Sequence, residues 1–188
     1  MYSCLRCGAW LWRKNIYCNL CDIYLVRPQR RKIKQHDHYY FYDWNVRSQE
    51  LIHNLKNGHH KRWLQQKKQS LISYRKVVTM DHNIPVFVAP SSSQKRGQHN
   101  HAYLLASSMG FLNIHDIFIR SKSQRQQNLA ERRSNQLQMI QPICFDYNEI
   151  VIVDDVVTTG NTVQSILDLL KPQKANIFSL AYVKKRFG

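Results

Sequence analysis

Apolar residues in this chain gather into short runs divided by polar stretches, and the run Ile150-Val151-Ile152-Val153 stands out because all four are β-branched. Such a run reads as a strand buried on both faces, the usual state of a strand in a parallel sheet covered by helices. Asp154 and Asp155 are expected to end it. From Thr162 the period changes, with Val163, Ile166, Leu167, Leu169 and Leu170 at helical spacing, and the pattern stops before Pro172. Pro85 and Pro90 bracket a second buried strand, Val86-Phe87-Val88-Ala89. Strands are also predicted at the aromatic-rich His38 to Trp44, at Asp116 to Arg120 and at Ala175 to Val183. Leu51, Ile52 and Leu55 give a short helix face that carries Lys56 and that Gly58 is expected to close. A second helix is predicted from about Lys61 to Leu71, and a third at Ala102 to Ala106. Strand and helix in alternation predict an α/β fold, a parallel sheet flanked by helices.

A chain of 188 residues can bury one sizeable core and still carry a small appendage. The division expected is a small N-terminal module at 1–26 and a main domain at 27–188. The formal charge of +16 implies polyanionic partners: nucleic acid, an anionic membrane or phosphorylated ligands. A generally basic chain of solvated lysines would give the same number. No apolar run approaches membrane-spanning length, and the N-terminus lacks the apolar core of a signal peptide, so a soluble cytoplasmic protein is expected.

The N-terminal module is defined by Cys4-Leu5-Arg6-Cys7 and Cys18-Asn19-Leu20-Cys21. Each Cys-x-x-Cys can turn two sulfurs toward one point, and two such knuckles complete the four-thiolate tetrahedron that zinc prefers. Metal ligation also replaces a core that so short a segment could not build. Disulfides and a redox dithiol are the alternatives; a reducing compartment argues against the first and the duplication against the second. Trp10, Trp12, Tyr17 and Tyr24 could stack on bases, though packing the finger is the simpler use. Arg27 to Lys34 reads as a basic connector. Cys144 lacks a partner at ligand spacing and reads as a buried residue.

Between the Ile150 strand and its helix lies Asp154-Asp155-Val156-Val157-Thr158-Thr159-Gly160-Asn161-Thr162. A Thr- and Gly-rich loop opening a helix offers backbone N–H groups, hydroxyls and the positive end of a helix dipole, which suit a phosphate. Gly160 lets the backbone approach the anion. Carboxylates at the carboxyl end of a sheet strand can accept hydrogen bonds from paired hydroxyls. A sugar phosphate satisfies both halves. The alternative is a plain strand-turn-helix with a solvated acidic turn. The loop is neither a Walker A motif nor a dinucleotide-binding fingerprint, because the required glycines and lysine are absent.

This stretch resembles the signature of type I phosphoribosyltransferases, which bind phosphoribosyl diphosphate (PRPP). The resemblance implies that Asp154 and Asp155 hold the two ribose hydroxyls, while Thr158 to Thr162 cradle the 5′-phosphate. It also implies that the loop after the Val86 strand, beginning Ser91-Ser92, faces the diphosphate, with Lys95 and Arg96 adding charge. Arg96-Gly97, Asn100 and Ala102-Tyr103-Leu104-Leu105-Ala106 further resemble a motif of the ComF family of competence-associated proteins. Arg120, Lys122, Gln126, Leu129 and Arg132-Arg133-Ser134-Asn135 resemble a second, and many members carry a four-cysteine finger. The Phe and Gln of the first motif are absent here, one extra residue falls around Gln98-His99, and His101 stands where Gln is usual.

The ComF resemblance implies a PRPP-binding protein that handles single-stranded DNA in DNA uptake, beside membrane-associated uptake machinery at the inner face of the membrane. Lys56, Lys95, Arg96, Lys122, Arg125, Arg132 and Arg133 are candidate contacts to DNA or diphosphate. Zinc would be structural, and Mg²⁺ would accompany PRPP. The alternative is an active phosphoribosyltransferase with an unidentified base or amine as acceptor. Enzymes of the hypoxanthine-guanine type carry an aspartate base two positions before the loop glycine, and Thr158 stands there instead, which disfavours that substrate class. A third reading makes PRPP an effector of DNA affinity. The oligomeric state is not set by sequence; a homodimer is among the options.

Overall fold

The computed structural model describes residues 2–4, 9–11, 27–78, 81, 83–91, 100–120, 137–140 and 147–183. A minimal hairpin joins β1 (Tyr2–Ser3) to β2 (Trp10–Leu11), with Tyr2 opposite Leu11 and Ser3 opposite Trp10. The main unit is a six-stranded sheet of β3 (Gln29–Ile33), β4 (His36–Asp43), β5 (Val86–Val88), β6 (Ile114–His115), β9 (Glu149–Val157) and β10 (Lys174–Tyr182). Its spatial order is β3-β4-β10-β9-β5-β6. All neighbours are parallel except β3, which pairs antiparallel with β4 at the edge. A separate two-stranded ribbon, β7 (Phe118–Arg120) with β8 (Leu137–Met139), lies between β6 and β9 in sequence.

The β-branched run does what its composition predicts. Ile150, Val151, Ile152 and Val153 are fully buried, and each such burial contributes on the order of 1.5–3 kcal/mol. Alternation divides them between two cores. Val151 and Val153 face α1 (Val46–Asn54), α2 (His60–Val78) and α3 (His101–Ser108) through Leu51, Trp63 and Leu105. Ile150 and Ile152 face α4 (Asn161–Leu170) and the β7–β8 ribbon through Val163, Ile166, Phe118 and Leu137. A one-sided strand would need only one of these sets, so the continuous apolar run and the two-sided cover are the same fact.

Helix placement follows from connectivity. The β5–α3–β6 unit steps toward one edge of the sheet, and β9–α4–β10 steps toward the other. Right-handed crossovers running in opposite directions must lie on opposite faces, as α3 and α4 do. Strand order therefore reverses between β5 and β9, and the loops leaving their carboxyl ends diverge.

Several local expectations need correction. Asp154 and Asp155 do not end their strand; β9 continues to Val157 because β10 pairs alongside it to Tyr182 opposite Val157. The Arg27–Lys34 connector contains edge strand β3, whose charged side chains suit an exposed edge. Gly58 does not close a helix: a π-helical turn, Leu55–His59, carries α1 into α2, which runs on to Val78. The strand expected at Asp116 to Arg120 begins at Phe118, and the short β6 precedes it. The division at residue 26 and Cys144 lie outside the described residues.

Candidate functional site

The reversal between β5 and β9 makes a crevice, because nothing bridges two loops that leave in opposite directions. β5 pairs with β9 only as far as Val88 opposite Val153, after which Ala89 N–H donates to Val153 O at 2.8 Å. The next residues of β9 are Asp154 and Asp155. They stand past the end of β5 with β10 on the other side, at the carboxyl end of the sheet.

The two carboxylates have different neighbours. Asp155 Oδ2 pairs with Lys56 Nζ at 2.9 Å, the lysine reaching in from the π-helical turn between α1 and α2. A narrow, mostly apolar notch lined by Ile52, Leu55, Leu64 and Leu105 opens beside Lys56, Asp155 and His101. Asp154 Oδ1 instead accepts a hydrogen bond from the Asp155 N–H at 2.8 Å. Burial, and next the charge of Asp155, push the Asp154 carboxyl well above the ordinary carboxylate range; Arg120 opposes the shift.

The loop opens α4 as its composition requires. Gly160 takes φ +80°, a left-handed conformation that L side chains rarely adopt, while a Cβ there would meet only Ile33 Cγ2, at 4.0 Å. The glycine is needed for backbone conformation and not for space. Thr158, Thr159 and Asn161 are exposed, Thr162 is half-buried, and Gln164 N–H donates to Gly160 O at 2.8 Å as the helix begins. Val157 is buried in the α4 core and its carbonyl accepts from Val183 N–H at 3.0 Å; Val156 packs on the other core. Those two residues can offer a ligand little beyond backbone.

Arg120 joins the loop from β7. Its Nη2 donates to Thr162 Oγ1 at 2.9 Å, across 42 residues of sequence. The guanidinium is half-buried: desolvation lowers its pKa, and Asp154 and Asp155 raise it. Asn100 frames the opposite wall. Its Nδ2 donates to Ala89 O at 3.0 Å and to Asp116 Oδ1 at 2.9 Å, while its Oδ1 accepts from Ala102 N–H at 3.0 Å as the cap of α3. The end of β5 is thereby fixed to the start of α3, and Ser91 follows two residues after Ala89.

The structure thus brings together Asp154, Asp155, the 158–162 loop and Lys56, and adds Arg120, while Asn100 ties the end of β5, which Ser91 follows, to α3. In the sequence Asn100 and Arg120 stand out only as parts of the ComF-like motifs. Ser92, Lys95, Arg96, Lys122, Arg125, Arg132 and Arg133 lie outside the described residues, as do Cys7, Cys18 and Cys21. Cys4 is described: it is buried, and its N–H donates to Ala9 O at 2.8 Å within the β1–β2 hairpin. Among the described residues no group of three His, Cys, Asp or Glu side chains is arranged to hold a metal ion. No helix among them is long and apolar enough to cross a membrane.

Residues 102–186 match the phosphoribosyl transferase domain family. The solved structures similar to this chain include the purine phosphoribosyltransferase from Pyrococcus horikoshii Ot3, at 17% identity and a TM-score of 0.39, covering 69% of this chain and 87% of that one. No curated protein matches the chain. The matched segment contains all of α3 but its first residue, the β7–β8 ribbon and the whole β9–loop–α4–β10 unit, and the fold built around it is phosphoribosyltransferase-like: a largely parallel sheet flanked by helices, with the acid pair and the Thr-Gly loop at its switch point.

Proposed function

We propose that the crevice binds PRPP, and that this is a ComF-type protein which handles single-stranded DNA during DNA uptake. One observation carries the first half: an acid pair and an α4 N-terminus opened by a left-handed glycine stand side by side at the strand-order reversal. Asp154 and Asp155 would take the ribose hydroxyls, Thr158 to Thr162 the 5′-phosphate, and the loop from Ser91 and Ser92 the diphosphate. The carboxylates are hard oxygen donors that suit Mg²⁺, which when bound would neutralise diphosphate charge.

The DNA half rests on the ComF motifs and on the charge of +16. Lys95, Arg96, Lys122, Arg125, Arg132 and Arg133 would supply phosphate contacts, and such binding weakens steeply with salt. The membrane-associated uptake machinery is a partner in the same reading. Zinc fits the N-terminal thiols, since Cys4 is already buried within a hairpin turn, and Cys7, Cys18 and Cys21 would complete the site. Metal analysis should return one zinc per chain, lost in Cys7→Ser.

The match of residues 102–186 favours a second reading, an active phosphoribosyltransferase. Diphosphate release from Mg²⁺-PRPP, with and without bases, amines and single-stranded DNA, separates the two. Release that needs an acceptor and both aspartates makes the protein an enzyme. PRPP binding without release makes it a PRPP-responsive DNA-handling protein. Failure of PRPP to bind at all would refute both.

A further inference from the structure

A phosphate seat beside two carboxylates has an electrostatic difficulty. A phosphate dianion at the start of α4 would meet the negative charge of the acid pair, carried first by Asp155 since Asp154 is pushed toward its protonated form, and that repulsion is only weakly screened in a partly buried crevice. Helix N-terminal N–H groups and threonine hydroxyls offset part of this, and Lys56 is already engaged by Asp155. Among the described residues, the further cation placed between loop and acids is Arg120.

Its geometry does more than supply charge. A guanidinium has no acceptor, so in the 2.9 Å contact Thr162 Oγ1 must accept, and the threonine hydroxyl hydrogen has to point elsewhere. Thr162 is the second residue of α4, in the turn whose backbone N–H groups have no intrahelical partner. A hydroxyl that accepts from a cation becomes a stronger donor to the next acceptor in the chain. We propose that Arg120 is the positioning residue of the phosphate seat: it commits the Thr162 hydroxyl as a donor to the 5′-phosphate and offsets the carboxylate pair that would repel that phosphate. Arg120 thereby makes the crevice selective for a phosphorylated ribose. This rests on reading the 158–162 loop as the 5′-phosphate seat.

The test compares two ligands by calorimetry. Ribose 5-phosphate carries the 5′-phosphate; Mg²⁺-diphosphate does not. Arg120→Gln should weaken ribose 5-phosphate about 10–100-fold, the range for one charge-assisted hydrogen bond, and leave diphosphate within about twofold. Because Arg120 acts through Thr162, Arg120→Gln combined with Thr162→Val should be no worse than the stronger single change by more than about threefold. Equal losses for both ligands, or fully additive losses in the double variant, overturn the proposal. If Arg120→Gln cannot be purified, Arg120→Lys is read in the same titrations with the same signs and a smaller loss. Wild-type protein that binds neither ribose 5-phosphate nor PRPP overturns the phosphate-seat reading together with this inference. Wild-type binding that survives Arg120→Gln unchanged overturns the inference alone.

Discussion

Lys56 Nζ lies 2.9 Å from Asp155 Oδ2, so one carboxylate of the acid pair has a cation of this chain beside it. With 40% of the lysine side chain in solvent, the pair contributes at most about 1 kcal/mol. Lys56→Met should therefore weaken PRPP binding by no more than about fivefold, with a reduced salt dependence, measured by calorimetry at two ionic strengths. A loss of 100-fold would mean that Lys56 touches the ligand directly.

The acid pair itself should separate binding from folding. Asp154→Asn with Asp155→Asn is expected to abolish PRPP binding and leave the zinc content unchanged. The Asp154 carboxyl is raised from its ordinary 3.8, so between that value and its folded value the native state binds more protons than the unfolded chain. The Asp154 contribution to stability falls as pH rises through that window, and Asp154→Asn should remove it from the wild-type profile. Urea midpoints across the range check this. A double variant that keeps PRPP affinity would place the ribose elsewhere.

Two histidines act with the opposite sign. His38 is buried in the sheet, its Nε2 2.8 Å from Ser179 Oγ, and burial lowers its pKa from 6.5 to about 3. His36 Nδ1 accepts the Ala175 N–H at 3.1 Å, which a ring protonated there could not do, and burial lowers its pKa too. Both groups take up protons more readily when unfolded, so their contribution is present above about pH 6.5 and is lost as pH falls below it. With the Asp154 contribution removed by Asp154→Asn, urea midpoints should drop between pH 7 and 5, and adding His38→Gln should flatten the drop. An unchanged slope in that variant would remove His38 from the account.

Gly160→Ala tests the loop. The φ of +80° penalises any Cβ, while the nearest atom, Ile33 Cγ2 at 4.0 Å, leaves room for one. The cost should be about 1–2 kcal/mol of stability, together with weaker binding of ribose 5-phosphate, as the first turn of α4 shifts to relieve the strain. Full stability in this variant would show that the turn relaxes freely.

Much of the architecture is written in patterns a few residues long. The β-branched run at Ile150–Val153, the helical spacing after Thr162 and the proline-bracketed strand at Val86 each carry their own period, and period alone decides strand or helix and which faces are buried. The acid pair and the Thr-Gly loop were legible for the same reason, because their chemistry lies within one stretch of chain. Where local signals failed, long-range pairing had overridden them. β9 runs past its two acids because β10 lies alongside, and the charged β3 becomes a strand only because β4 offers it an edge. Arg120 meets Thr162 because the β7–β8 ribbon packs on the α4 face of the sheet, and Lys56 meets Asp155 because the turn between α1 and α2 packs on the other face. No local period encodes that packing. The sequence by itself set out an acid pair and a hydroxyl-rich loop with the chemistry a sugar phosphate needs, and the tertiary structure decided which cations among the described residues stand beside them.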